Sequence, residues 1–276
     1  MNDKRTPGFG IVSGASSGIG LACAKELARQ GHPLALIARD AARLEKARAL
    51  LEQAGSPEIL VFSTDVTDAQ ACARIVESVA VRRGSIDWLI TCAGDVEPGM
   101  FHELSVDAHR RQMELNYFGT LQLAGPVAKR MIDQQAGNIV LISSAAAILG
   151  VAGYSAYGAS KFGVRGLGEA LSVELAPHGV VCSVAFPPDT ATPQLERERV
   201  LRPWITEQIA AGAPVADPDV LAVRMICDAK RGRFILAPSM QLRAYAWLSS
   251  LYAPFFRRWQ RKLLDRASPP QTAPKD

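Results

Sequence analysis

Phe9-Gly10-Ile11-Val12-Ser13-Gly14-Ala15-Ser16-Ser17-Gly18-Ile19-Gly20 sets an apolar, strand-like run directly before three glycines spaced G-x-x-x-G-x-G, which open into a helical pattern reaching Gln30. Glycines let a backbone approach a pyrophosphate. The start of a helix adds oriented N–H groups and a partial positive charge. A glycine-rich turn alone is also what any tight turn uses; the strand before it and the helix after it make this one a phosphate cradle.

Strand and helix patterns then keep alternating: Pro33 to Ala38 (strand), Ala41 to Ala54 (helix), Ile59 to Phe62 (strand), Asp68 to Arg82 (helix) and Ile86 to Thr91 (strand). A long helix from Val106 to Gln134, a strand from Asn138 to Ser143, a helix from Ser155 to Ala176 and a strand from Val180 to Phe186 continue the series. Near-continuous apolar strands suit a parallel sheet covered on both faces, so the pattern predicts an α/β chain of the Rossmann-type, doubly wound kind. Ligands of such sheets bind at the carboxyl ends of the strands. No repeat, low-complexity block or linker interrupts residues 1–238, which read as a single domain.

Composition narrows the partners. The 276 residues are 48% hydrophobic, ample for a large core, and the net charge of +4 comes with no basic stripe interleaved with aromatics before residue 240, which argues against nucleic acid. Five scattered cysteines without a C-x-x-C pair match a reducing compartment, where they behave as small buried hydrophobes. The four histidines form no ligand motif, so no metal is expected. The N-terminus has no apolar stretch long enough for a secretory signal, so the expected location is cytoplasmic.

The second strand ends Leu36-Ile37-Ala38-Arg39-Asp40. A carboxylate there would accept hydrogen bonds from a ribose 2′-hydroxyl, whereas a guanidinium suits a 2′-phosphate, so Arg39 favours NADP(H) over NAD(H). The alternative is a solvated Arg39 with Asp40 discriminating. Asp65, followed by Val66, either bonds the adenine edge or caps the helix beginning near Ala69.

Tyr157 and Lys161 stand four apart, on one face of a predicted helix, and Ser144 lies thirteen residues before the tyrosine at the end of a strand. A free phenol titrates near ~10, and an ammonium beneath it would bring that value nearer the working pH, where a general acid is most useful. The Ser144 hydroxyl would hold the oxygen that receives the proton. Tyr-x-x-x-Lys is common on surface helices, and the upstream glycine cradle is what gives this pair a reaction to serve.

In this order the motifs resemble the short-chain dehydrogenase/reductase family over roughly residues 8 to 238. The resemblance implies a catalytic set of Asn116, Ser144, Tyr157 and Lys161, with Ser143 the structural neighbour of Ser144 and Asn116 anchoring a water relay. It implies cofactor contacts at Gly14, Ser16, Ser17, Gly18, Ile19, Arg39, Asp65, Val66, Ala93, Gly94, Tyr157, Lys161, Pro187, Thr190 and Thr192. Two departures stand out: the family's N-A-G turn appears as Cys92-Ala93-Gly94, and Pro188 replaces the usual glycine after the sixth strand. Pro187-Pro188-Asp189-Thr190-Ala191-Thr192-Pro193 is similar to a narrower group in the family, the 3-ketodihydrosphingosine reductases, with Ala191 standing where an aspartate is frequent. The implied activity is NADPH-dependent reduction of that ketone or a close long-chain analogue, in sphingolipid biosynthesis. The alternatives are a steroid, retinoid or 3-oxoacyl substrate, or a non-catalytic dinucleotide-binding scaffold. Members of the family are commonly homo-oligomers.

Residues 239–267 change character: an uncharged aromatic and apolar run from Ala244 to Phe256 precedes Arg257-Arg258-Trp259-Gln260-Arg261-Lys262. Thirteen residues fall short of the ~20 needed to span a bilayer, and Pro254 should bend the segment, so an amphipathic helical extension is expected, in peripheral membrane contact through 240–266. Packing on a second subunit or roofing the substrate cleft are the competing readings. Residues 268–276 are expected to be disordered.

Overall fold

A computed structural model describes residues 6–83 and 85–267; the tail expected to be disordered lies outside them. Seven strands form one parallel sheet: β1 (Phe9–Ser13), β2 (Leu34–Ala38), β3 (Ile59–Ser63), β4 (Ile86–Thr91), β5 (Gly137–Ile142), β6 (Val180–Ala185) and β7 (Ile235–Leu236), in the order β3-β2-β1-β4-β5-β6-β7. The order reverses between β1 and β4, which is where a doubly wound sheet opens a crevice at the carboxyl ends of its strands.

Each strand feeds both faces because successive side chains alternate. In β2, Leu34 and Leu36 belong to the core on the face covered by α1 (Gly18–Arg29), α2 (Ala41–Gln53) and α9 (Pro218–Lys230), which contribute Leu27, Leu44 and Met225 to it. Ala35 and Ile37 belong to the core on the opposite face, to which α3 (Ala69–Arg83), α5 (Gly119–Gln134) and α6 (Ser155–Glu174) contribute Val79, Leu123 and Val164. Leu27, Leu34 and Leu44 are fully buried, and such side chains each contribute roughly 1.5–3 kcal/mol by leaving water. The long helix expected over 106–134 is present, but as α4 (Val106–Met113) and α5 joined by one π-helical turn, Glu114–Phe118. Turns of that kind collect at functional sites.

Between the sixth strand and the C-terminal segment the chain forms α7 (Pro193–Leu201), α8 (Trp204–Ala210), α9 and β7, none of them expected individually. Two starts carry a legible signal, a capping side chain followed by proline at the first helical position. The Leu195 N–H donates to the Thr192 hydroxyl at 3.3 Å, and the Asp219 and Val220 N–H groups both donate to Asp217 Oδ1 at 2.9 Å.

The C-terminal segment is helical as expected, in two pieces: α10 (Met240–Trp247) and α11 (Ser249–Ala267). Its interruption falls at Leu248, and Pro254, where a bend was expected, lies inside α11. Among the described residues no helix is long and apolar enough to cross a membrane. Cys23, Cys72 and Cys182 are buried as the composition suggested, whereas Cys92 is half-buried and Cys227 exposed.

Candidate active site

One cleft of about 800 Å³ opens at the carboxyl ends of the strands and runs from the glycine turn past Tyr157 to the C-terminal helices. All the residues expected to meet the cofactor line it.

At one end the backbone itself forms the cradle. Gly14 has φ +64°, and a Cβ there would stand 2.8 Å from the Cys92 carbonyl and the Ala93 N–H, so only glycine lets β1 turn beside the β4 loop. A Cβ on Gly20 would meet the Gly14 carbonyl at 2.3 Å, so the first turn of α1 is folded directly onto the loop. The first N–H groups of a helix have no partner within it, and Gly18, Ile19 and Gly20 of this turn line the cleft. Arg39 is 69% exposed at its side chain and lines the same end, with its Nη1 4.0 Å from Asp65 Oδ2. Asp40, the rival discriminator, lines the same end; its Oδ1 accepts the Arg43 N–H at 3.0 Å and caps α2, and its Oδ2 lies 3.3 Å from Arg43 Nε. Arg43, which sequence reasoning missed, adds a second guanidinium to this end of the cleft. The two readings of Asp65 also separate. Asp68 caps α3 by accepting the Ala71 N–H at 2.9 Å, while Asp65 Oδ1 accepts the Thr67 N–H and hydroxyl, both at 2.9 Å, and so shapes the turn along the cleft. Glycine backbone, helix N–H groups and two guanidinium groups are the donors that a phosphorylated dinucleotide requires, so the residues present fit one.

On the far side of the crevice, Thr192 caps α7 and reaches back to the glycine turn, where a Gly18 Cβ would touch its Cγ2 at 3.0 Å. Pro187 accepts the Ala145 N–H at 2.9 Å, which ties this loop to the one carrying Ser144. The Thr190 hydroxyl donates to the Pro188 carbonyl at 2.8 Å, so it holds its own turn.

Tyr157 and Lys161 sit one turn apart on α6, which lies close on β6 because Gly168 has no side chain; a Cβ there would be 2.1 Å from Val184 Cγ2. Lys161 is 6% exposed, and its Nζ donates to the Ile142 carbonyl at 3.0 Å and stands 5.9 Å from the Tyr157 ring centre. Burial lowers the lysine to about 8. Burial also holds the Tyr157 phenol above the ordinary range, opposed by a hydrogen bond with Ser144 and reinforced by the Glu198 and Asp189 carboxylates. The expected lowering of the phenol is not found: it stands above its ordinary range, because desolvation penalises both charged forms, phenolate and ammonium alike. Ser144, whose Oγ accepts the Ala146 N–H at 3.1 Å, is the serine beside the phenol. Ser143 is buried, and its hydroxyl donates to the Lys161 carbonyl at 2.8 Å, a structural role.

Asn116 occupies the π-helical turn and is 0% exposed. Its Nδ2 donates to the Asp95 carbonyl (3.0 Å) and the Ser160 hydroxyl (2.9 Å), and its Oδ1 accepts the Asp95 N–H at 3.0 Å. The extra residue of the π turn thereby clamps the Gly94–Asp95 loop to α6. A Cβ on Gly94 would lie 2.7 Å from Asn116 Oδ1 and 3.3 Å from Lys161 Nζ, so loop, amide and ammonium meet at one point. Cys92, in place of the family's asparagine, packs against the α1 core instead of bonding across the turn.

The opposite wall was not foreseen. Tyr154 donates to Glu198 Oε1, Arg202 Nη2 lies 2.7 Å from the same carboxylate, and Arg202 forms a two-pronged pair with Asp189 at 2.7 and 2.8 Å. The Tyr154 and Tyr157 rings meet edge to face, 5.4 Å between centres. Above them, Tyr245, Tyr252, Phe255, Phe256 and Trp259 of α10 and α11 line the cleft mouth. Gln260 is buried and fixes α11 there, its amide donating to the Gly150 carbonyl (2.9 Å) and accepting the Ala152 N–H (2.8 Å). Of the three readings of 239–267, the cleft-roofing one has these contacts behind it.

Known proteins carry the same pattern. The short chain dehydrogenase profile matches residues 10–200. A 3-ketodihydrosphingosine reductase of Mus musculus is 36% identical over 228 residues, 81% of this chain and 69% of its own. One from Dictyostelium discoideum is 32% identical over 89% of this chain and 79% of its own. Among solved structures, a short-chain dehydrogenase from Sphingobium yanoikuyae in complex with NADPH superposes with a TM-score of 0.76 at 27% identity, covering 98% of this chain and 99% of its own. The sheet order, the glycine cradle and these matches agree: the chain belongs to the short chain dehydrogenase family.

Proposed function

We propose that this protein is an NADPH-dependent ketone reductase that converts 3-ketodihydrosphingosine, or a close long-chain analogue, to dihydrosphingosine, a step of sphingolipid biosynthesis. The observation that carries the reaction class is the grouping of Tyr157, Ser144 and Lys161 in the same cleft as a cradle fit for a phosphorylated dinucleotide. The names of its relatives and the aromatic cleft mouth support the substrate.

When bound, the reduced nicotinamide supplies the hydride. The protein manages the oxygen and the proton. Ser144 donates a hydrogen bond to the ketone oxygen, and the Tyr157 hydroxyl delivers the proton as negative charge develops there. Lys161, held between the Ile142 carbonyl and the Gly94 loop, offers an ammonium to the ribose hydroxyls and to the phenolate left behind. Asn116 is a positioning residue, keeping loop and helix in register and anchoring the water path that returns the proton. Gly14, Ser16, Ser17, Gly18 and Ile19 hold the pyrophosphate and Arg39, joined by Arg43, the 2′-phosphate; Asp65 and Val66 border the adenine. Ala93, Gly94, Pro187, Thr190 and Thr192 enclose the nicotinamide end.

Residues 1–238 supply the cofactor and catalytic sites, and 239–267 form the lid through which a lipid enters. Leu251, Phe255 and Trp259 make an exposed stripe on α11 beside Arg257, Arg258, Arg261 and Lys262. That pairing suits peripheral contact with an anionic membrane surface.

The direct test is NADPH oxidation by the purified protein with 3-ketodihydrosphingosine, with NADH alongside; no oxidation with this ketone would refute the substrate assignment. Changing both Arg39 and Arg43 to Ala should lower kcat/KM for NADPH by about 10- to 100-fold, since charge-assisted hydrogen bonds are worth about 1.5–3 kcal/mol, and leave that for NADH almost unaltered. An equal loss with both cofactors would remove the 2′-phosphate from the argument.

A further inference from the structure

We infer that Glu198 is the receptor for a cationic amine next to the reacting ketone, and so the residue by which this cleft selects an amino ketone over a plain one. The inference rests on the reductase reading above and names the group that reads its substrate.

Glu198 comes from α7, outside the catalytic set, yet it lines the cleft and is only 8% exposed. Its Oε1 takes the Tyr154 hydroxyl and the Arg202 guanidinium, whose Nε lies at 2.8 Å. Its other oxygen, Oε2, accepts no hydrogen bond from any described residue, although a carboxylate can accept about four. That oxygen is not sealed from solvent, and Glu198 lines the cleft, so a donor entering the cleft can take the place of water on it.

The charge balance gives the sign of that donor. Arg202, with its side chain 2% exposed, answers two buried or half-buried carboxylates, Asp189 and Glu198, and the more exposed Glu207 also approaches it at 3.5 Å. One guanidinium against two close carboxylates leaves the wall net negative. Tyr154 bonds Glu198 with its hydroxyl and packs its ring on Tyr157, so this charge is anchored one aromatic ring away from the proton donor. That separation suits an ammonium on the carbon beside the ketone. An amine there places its hydrogens on Glu198 while the ketone oxygen rests on Tyr157 and Ser144. Elsewhere in the cleft Arg39, Arg43 and Arg197 each stand beside one carboxylate, Asp65, Asp40 and Asp95, so the surplus carboxylate belongs to this wall.

The test compares wild type with Glu198→Gln on 3-ketodihydrosphingosine and on the same long-chain ketone lacking the amino group. Wild type should prefer the amino ketone, and in Glu198→Gln the ratio of kcat/KM for amino over deamino ketone should fall about 10- to 100-fold, mostly through KM, the range for loss of one charge-assisted hydrogen bond. An unaltered ratio, with both ketones slowed alike, would overturn the assignment and make Glu198 a structural residue. NADPH titration by fluorescence checks that the variant is folded. Should it not fold, the wild type decides alone, through the amino ketone, its N-acetyl derivative and the deamino ketone: a preference for the cationic form supports the receptor, and equal kcat/KM overturns it. Wild type inactive on the amino ketone would remove the reductase reading along with this inference, whereas wild type active without preference would remove only the inference.

Discussion

Tyr157→Phe should lower turnover of the ketone by about 10²- to 10⁴-fold, the range expected when a positioned general acid is lost, while NADPH binding stays almost as in wild type. The substitution deletes one oxygen and keeps the ring that packs on Tyr154, so the fold should survive and the loss should appear in kcat. The sign of the pH dependence follows from the environment. Burial and the Glu198 and Asp189 carboxylates hold the phenol above its ordinary range, so the proton needed for reduction stays in place through neutral and mildly alkaline pH. Any decline in reduction near pH 8 therefore belongs to another group, and Lys161 is the group whose buried ammonium titrates there. Steady-state kinetics from pH 6 to 10, with a thermal melt of the variant, check both statements. Turnover above a tenth of wild type in Tyr157→Phe would assign the proton to a different donor.

How much of this was legible in the sequence depended on whether the signal was local. Strand alternation, the glycine turn and the four-residue spacing of Tyr157 and Lys161 are properties of short windows; alternation placed six of the seven strands within a residue at each end and missed the short β7. The cap-plus-proline pairs at Thr192 and Asp217 were equally local and would have located α7 and α9. What stayed hidden was tertiary. Glu198 and Arg202 are four apart and read as an ordinary helix-face pair; only folding brings Asp189 and Tyr154 to them and turns a solvated ion pair into a buried, unbalanced wall. Gln260 lies in a basic, apolar stretch that suggested a membrane surface, and its clamp on Gly150 and Ala152 needs a partner more than a hundred residues away. The electrostatics ran opposite to the local expectation for the same reason. A lysine one turn from a tyrosine should lower its phenol, but both groups are buried and the desolvation penalty is the largest influence on each.

That penalty makes Lys161→Met a test of stability as well as of catalysis. Turnover should fall by about 10²-fold or more, as when a group that stabilises transition-state charge is removed. The folded chain should gain stability at neutral pH. The gap between the ordinary 10.5 and about 8 corresponds to roughly 3 kcal/mol of cost for holding the ammonium in the fold. Against it stands about 1 kcal/mol for the Ile142 carbonyl left without its donor. The net gain is about 2 kcal/mol, or roughly 4–8 °C in Tm for a domain of this size. The sign with pH is fixed by the depressed value. Below pH 8 the lysine is charged in both folded and unfolded chains, and the fold bears the full cost. Between pH 8 and 10.5 the folded lysine loses its proton first and the cost fades, so the advantage of Lys161→Met should shrink across that window. Melting the ligand-free proteins at pH 7 and pH 10 measures it. A wild type as stable as the variant at pH 7 would mean that Lys161 is held without strain, and the buried ammonium would no longer be a cost that the fold carries for its chemistry.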